Sequence, residues 1–97
     1  MAKLTGKQVR FLRGLGHHLS PLVMIGKEDI TEGVLAAVDA ELTIHELIKV
    51  KLQEGCVLDR REVAALLAEK TGSEVAQVLG KTILLYRKSD EAKIKLP

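Results

Sequence analysis

The chain has 97 residues, 46% of them hydrophobic, which is enough for one buried core and too few for two ordinary domains. Its single cysteine, Cys56, excludes an intramolecular disulfide and favours a reducing, intracellular setting. The formal net charge is +2, and no apolar run approaches the roughly 18 residues of a membrane span, so we expect one soluble, cytoplasmic domain over residues 1–97.

The charges are unevenly distributed along the chain. All acidic residues follow position 27, and the segment 28–46 contains six acids but no Lys or Arg. The cations that precede the first acid are Lys3, Lys7, Arg10, Arg13 and Lys27. The small net charge therefore hides a basic first segment and an acidic second one.

Residues 5–19 are predicted to form an amphipathic helix. At about 100° per residue, its apolar side chains fall within an arc of about 100°. They are Leu4, Phe11, Leu12, Leu15 and Leu19. The opposite face carries Lys3, Lys7, Arg10, Arg13 and His17, which we call the basic stripe. Because no acid interrupts the basic stripe, we expect it to contact phosphates rather than only water.

A strand at 22–26 is followed by the loop Gly26-Lys27-Glu28-Asp29 and a second helix. The helix is predicted to begin near Asp29 or Thr31, because "DITE" has the form of a capping box. A loop that enters a helix N-terminus presents unpaired backbone N–H groups to an anion. Gly26 and Lys27 are therefore further candidates for phosphate contact, although a glycine here can also serve only the turn.

The remaining residues predict a strand, a third helix and a hairpin. In "ELIKVKL" apolar residues alternate with Lys49 and Lys51, so these lysines either extend the phosphate surface or protect a sheet edge. Asp59 and Gly72 are predicted to cap the third helix, and Gly80-Lys81 to join the last two strands. The expected buried side chains of the second and third helices are Val34, Val38, Leu42, His45, Val63, Leu66 and Leu67.

The element order α-β-α-β-α-β-β predicts an α/β fold, with a mixed four-stranded sheet packed with three helices and a less ordered tail from about residue 89. The three histidines lack the spacing of metal ligands, and no catalytic motif stands out, so we predict no enzyme, metal or cofactor. With one Phe and one Tyr, base stacking is expected to be minor, which favours recognition of folded RNA by backbone and shape.

Four segments resemble the CRM family (chloroplast RNA splicing and ribosome maturation) in its stand-alone bacterial YhbY form. They are "LTGKQVRFLRGLGHHLSPLVMIGK", "ITEGVLAAVDAEL", "HELIKVKL" and "VAQVLGKTILLYR", with "KIKLP" after the last. The resemblance implies an RNA-binding domain, similar in fold to the C-terminal domain of a translation initiation factor, that associates with large ribosomal subunit precursors. It also implies a Gly-x-x-Gly loop at positions 26–29, where Asp29 replaces the second Gly and shifts the expected binding toward the first helix.

The leading hypothesis is a non-enzymatic protein, favoured as a monomer, that binds ribosomal RNA during large-subunit assembly. Its expected contacts are Lys7, Arg10, Arg13 and Lys27, with His17, Gly26, Lys81 and Arg87 in support. The alternative is a protein-interaction module whose basic first helix and acidic second helix recognise a ribosomal protein or another assembly factor. A small hydrolase is the least favoured class.

Overall fold

The computed structural model describes residues 4–26, 30–55, 58–90 and 93–97. Within these ranges it has the predicted elements in the predicted order, three helices and four strands. The helices are α1 (Gly6–Gly16), α2 (Glu32–His45) and α3 (Arg60–Thr71). The strands are β1 (Pro21–Ile25), β2 (Leu47–Leu52), β3 (Glu74–Leu79) and β4 (Thr82–Tyr86).

Short polar residues set the starts of the helices. Before α1, the Thr5 hydroxyl accepts the Gln8 N–H at 3.1 Å, and the Gln8 side chain accepts the Thr5 N–H at 3.0 Å, a reciprocal pair that the sequence analysis missed. The N-cap of α2 is Thr31, the second of the two predicted starts, and its hydroxyl accepts the Val34 N–H at 3.1 Å. Asp29 lies outside the described residues.

The third helix and the hairpin end where the sequence predicts. Asp59 caps α3 by accepting the Arg61 N–H at 3.1 Å. Gly72 ends the same helix at φ 65° and Gly80 turns the β3–β4 hairpin at φ 58°, both in the left-handed region that favours glycine. These three positions confirm the predicted helix caps and hairpin turn in the second half of the chain.

The four strands form one mixed sheet in the order β1-β2-β4-β3. Strand β1 is parallel to β2, and the other two pairings are antiparallel. Strand β2 is therefore an interior strand, hydrogen-bonded on both sides. This position excludes edge protection as the role of Lys49 and Lys51, because neither lysine lies on an edge strand.

The sheet has one fully covered face and one partly covered face. Helices α2 and α3 cover the first, where Val38, Leu42, Val63 and Leu67 join a buried cluster with side chains of β1, β2 and β4. Partly buried side chains of β3 pack against this cluster. Helix α1 lies on the second face. There Leu12 packs with four buried residues, Leu47, Ala76, Leu84 and Tyr86.

The predicted apolar face of α1 is only partly buried. The helix ends at Gly16 instead of Leu19, and of its large apolar side chains Leu12 alone is fully buried, whereas Phe11 is 40% and Leu15 41% exposed. The reason is the close approach of Gly16 to the sheet: a Cβ placed there would lie 2.7 Å from a Leu84 methyl group. Contact at Leu12 and Gly16 sets the rotation of the helix about its axis, so that Phe11 and Leu15 lie at the margin of the contact and stay partly exposed.

Two further side chains differ from the predicted core. His45, expected on the buried side of α2, is exposed and lies 3.5 Å from the Glu41 carboxylate. In α3, Ala64 is buried and Leu66 is half-buried, because the helix faces the sheet along the line of Val63 and Leu67. Both differences concern which side of a correctly placed helix meets the sheet.

The C-terminal tail has no helix or strand in its described residues, yet it is held in place by Glu46. This carboxylate is fully buried at the end of α2. It accepts the Ser89 N–H at 2.8 Å and hydroxyl at 3.1 Å, and the Ile94 N–H at 2.8 Å. Ile94 and Leu96 then pack against the cluster around Leu12. Residues 93–97 thus support α1 on the second face of the sheet.

Replacement by alanine is expected to have opposite effects on the free energy of unfolding at Gly14 and at Gly16. We expect Gly16→Ala to destabilise the protein by about 1–2 kcal/mol, because the buried Leu84 side chain must move to admit a methyl group. Gly14→Ala is the matched control: no atom lies within 4 Å of its Cβ position, so helix propensity should stabilise the protein by up to about 1 kcal/mol. Urea unfolding measures both. Equal stabilisation by the two variants would contradict the close contact of α1 with β4.

Candidate nucleic-acid interface

One recess on the second face of the sheet brings together basic residues that are distant in sequence. It lies between α1 and the sheet and has a volume of about 370 Å³. Arg13 and His17 of α1 line it together with Lys49 of β2. Its other lining residues are Gly14, Gln77, Leu79, Thr82 and Leu84, so none of the described residues in its walls is an acid.

The recess results from the local structure of two elements. In α1, Arg13 and His17 are four residues apart and therefore share one side of the helix. That side reaches the sheet because Gly16 allows α1 to approach Leu84. In β2, Lys49 and Lys51 point away from the buried cluster by the alternation of the strand, and Lys51 pairs across the ladder with Thr82.

The cations around the recess have no acidic partner in the described part of the chain. There, the ion pairs are His45–Glu41, Lys81–Glu54 and Arg87–Asp39. None of them includes Lys7, Arg10, Arg13, Lys49 or Lys51. Lys7 and Arg10 are exposed and continue the positive charge along α1 from Arg13 toward the N-terminus of the helix. This surface combines at least five unneutralised positive charges with a recess, the electrostatic footprint of a nucleic-acid interface.

Gly26 is half-buried at the end of β1, where the Ile25 carbonyl accepts the Gln53 N–H at 2.8 Å. Its position is therefore at one end of the sheet and outside the walls of the recess. The rest of the predicted anion-binding loop, including Lys27, lies outside the described residues, as does Lys3 of the basic stripe. For Gly26 and Lys27, phosphate contact stays a prediction.

The two secondary candidates differ from the residues at the recess in having acidic neighbours. Lys81 is exposed in the β3–β4 turn and lies 3.6 Å from Glu54, an exposed pair that costs little to separate. Arg87 donates to the Asp39 carboxylate at 2.6 Å and to three further oxygens, on Asp39, Thr43 and Thr71. The guanidinium of Arg87, which directly follows β4, thus ties this end of the strand to α2 and α3. We leave Arg87 out of the candidate interface.

The sequence analysis left the role of one residue of the recess open and missed several others. Lys49 was left between two roles, and the interior position of β2 decides against edge protection. Gln77 had no usable signal, because a register shift between Val75 and Gln77 breaks the alternation of β3. Thr82 and Gly14 are ordinary residues in sequence and become part of a site only through tertiary packing.

Other chemistry finds no support in the described residues. They contain no cluster of three or more His, Cys, Asp or Glu side chains that could hold a metal ion. His17 and His18 contact each other edge to face, with ring centroids 5.5 Å apart, and only His17 lines the recess. No helix in the described ranges is both long enough and apolar enough to cross a membrane.

Comparison with known proteins identifies the family. Residues 4–87 match the CRS1/YhbY (CRM) domain. The chain belongs to the CRM domain family. The match confirms the family resemblance given in the sequence analysis. The matched residues include α1 and all four strands, and therefore every described wall of the recess.

Two bacterial relatives and one solved structure match nearly the full length of the chain. It is 43% identical over 97 residues to a Haemophilus influenzae protein named RNA-binding protein, covering 98% of that protein. It is 41% identical over 95 residues to the Bacillus subtilis protein named probable RNA-binding protein YqeI, covering 99% of it. The solution structure of a hypothetical protein from Staphylococcus aureus, 45% identical, superposes with a TM-score of 0.85 over 97% of this chain and 99% of the other. The α/β fold of this chain is thus that of the solved S. aureus protein.

Proposed function

We propose that this CRM-domain protein is a non-enzymatic RNA-binding protein that binds ribosomal RNA in precursors of the large ribosomal subunit, in the cytoplasm. The observation that carries the proposal is the acid-free basic surface formed by α1 and β2, where Arg13, His17 and Lys49 line one recess. The names of the bacterial relatives support RNA as the partner. The ribosomal target comes from the family resemblance.

Binding on this surface is expected to be driven by phosphates. Lys7 and Arg10 have long exposed side chains that can follow an RNA backbone, and each phosphate they neutralise releases condensed counterions. Arg13 adds a planar guanidinium that can bind a phosphate with two hydrogen bonds. Gly26 and Lys27 would extend the contact at the end of β1, with Lys81 at the neighbouring hairpin turn.

The charges of α2 favour RNA over the protein-interaction alternative. That alternative requires free acids on α2 to attract a basic ribosomal protein. In the structure, the Asp39 carboxylate of α2 is paired with Arg87. The acidic helix is therefore partly neutralised by its own domain, whereas the described cations of α1 are not.

Crosslinking in cells, followed by sequencing of the bound RNA, tests the target. We expect crosslinks concentrated in the RNA of the large ribosomal subunit and its precursors. In parallel, binding of the purified protein to the recovered RNA fragments should weaken with salt, with a slope of about −0.9 in log K against log salt for each phosphate contact. Crosslinks spread evenly over cellular RNA would contradict the ribosomal target. Salt-independent binding would contradict the phosphate-driven mode.

A further inference from the structure

The recess between α1 and the sheet contains polar and apolar side chains that the binding of a phosphate backbone does not require. We propose that it accepts one unpaired nucleotide of the bound RNA, with its base inside the recess and its phosphate at the rim. The inference rests on the RNA-binding function proposed above and specifies the ligand at that site: an RNA helix with a bulged or looped-out nucleotide.

The walls of the recess match the three parts of a nucleotide. Arg13 and Lys49 supply positive charge for the phosphate. Gln77 and Thr82 supply an amide and a hydroxyl, which together can donate to and accept from the edge of a base. Leu79 and Leu84 supply apolar surface for the face of the ring.

The polar groups of the recess are available to a ligand. In the described part of the chain, the Gln77 and Thr82 side chains make no hydrogen bond within the protein, and both are half-buried. Stacking does not require Phe or Tyr at this site, because the Arg13 guanidinium or the His17 ring can lie against a base. The recess therefore adds recognition of an unpaired base to the shape recognition expected from the low aromatic content.

A larger recess elsewhere does not fit a nucleotide as well. It has a volume of about 520 Å³ at the hairpin end of the sheet and is lined by Glu54 and Asp59 as well as Arg60 and Lys81. Its acids would repel a phosphate, and Arg60 already donates to the Gly80 carbonyl at 3.1 Å. Both recesses have volumes within the range of about 300–1,000 Å³ that is typical of ligand pockets. The smaller recess is the better nucleotide site because it has positive charge without an acid among its described lining residues, and polar side chains with no partner there.

Gly14 provides a way to block the recess without changing its charge. This glycine lines the recess, and no atom lies within 4 Å of its Cβ position. A larger side chain there has room in the folded protein, and because Gly14 is a lining residue the new side chain can extend over the opening of the recess. Gly14→Gln is therefore a neutral plug, and Ala65→Gln, at an exposed position of α3 on the opposite side of the sheet, is its matched control.

The test compares two RNA hairpins of the same length, one fully paired and one with a single bulged 2-aminopurine. We expect the wild-type protein to bind the bulged hairpin about tenfold more tightly, the size of effect expected for one stacked base. The fluorescence of 2-aminopurine should change on binding. Gly14→Gln and the double variant Gln77→Ala/Thr82→Val should bind both hairpins equally while retaining the salt dependence of the wild type.

The outcomes separate this inference from the function on which it rests. Equal, salt-dependent binding of both hairpins by the wild-type protein, with unchanged fluorescence, would overturn the nucleotide site and leave RNA binding intact. Absence of binding to either hairpin and to ribosomal RNA fragments would overturn both. A preference for the bulge that survives in Gly14→Gln and in the double variant would place the base elsewhere and overturn the assignment. Loss of the preference for the bulged hairpin in Ala65→Gln would also overturn the assignment, because that residue lies on the opposite side of the sheet from the recess.

Discussion

Replacing Lys7, Arg10 and Arg13 together by Gln is expected to weaken binding to ribosomal RNA, and most strongly at low salt, where phosphate contacts contribute most to the affinity. The slope of log K against log salt should become shallower by up to about 0.9 for each phosphate that the variant no longer neutralises. Affinity should fall by a similar factor for related RNA sequences, because phosphate contacts carry no sequence information. Fluorescence anisotropy at several salt concentrations measures both quantities.

The matched control is the removal of three cations from other surfaces. Arg61, Lys70 and Lys88 are exposed and do not line the recess, so their replacement by Gln changes the net charge by the same amount. We expect a much smaller change in slope for this variant. The stability of both triple variants should stay within about 0.5 kcal/mol of the wild type, as is usual for exposed positions. An equal reduction of the slope in the two variants would show that net charge alone, and not the surface of α1, determines binding.

Glu46→Gln is expected to have the largest effect on stability. The carboxylate accepts three hydrogen bonds from the tail, and it is fully buried. An amide keeps the shape but turns one oxygen into a donor, which must then face the N–H of Ser89 or of Ile94. We expect a loss of about 2 kcal/mol, the cost of a buried donor without an acceptor, and a fall of about 8–16 °C in Tm for a domain of this size. Glu54→Gln, at a highly exposed position, is the control and should change little.

The same carboxylate predicts how stability depends on pH. Burial acts to raise the pKa of Glu46, but hydrogen bonds from Ser89, Ile94 and Lys93 outweigh it and lower the pKa below its ordinary value of 4.5. A group with a lowered pKa stabilises the folded protein above its unfolded pKa and loses that contribution as the pH falls through the folded pKa. The stability difference between the wild type and Glu46→Gln should therefore be largest at neutral pH. Urea unfolding at pH 7 and at pH 3 measures it, and a difference that does not shrink in acid would contradict this role.

Local signals in the sequence determined the number, order and ends of most elements. The caps at Asp59 and Gly72 and the turn at Gly80 involve residues within a few positions of one another, so the chain encodes them without reference to the rest of the fold. The alternation in β2 likewise placed Lys49 and Lys51 on the face away from the core. The basic stripe followed from helical periodicity alone, and so did the expectation of an anionic partner.

Tertiary structure alone decided which of these cations share a site. The close contact of Gly16 with Leu84 sets the rotation of α1, which brings Arg13 and His17 to the sheet and leaves Phe11 and Leu15 exposed. The register shift in β3 adds Gln77, and the strand order makes β2 an interior strand. The contacts of Arg87 and Glu46 within the protein have no local signal, because Asp39 lies 48 positions before Arg87 and Ser89 lies 43 positions after Glu46. Periodicity reports the faces of an isolated element, whereas the partner of each face depends on packing between elements that no local pattern records.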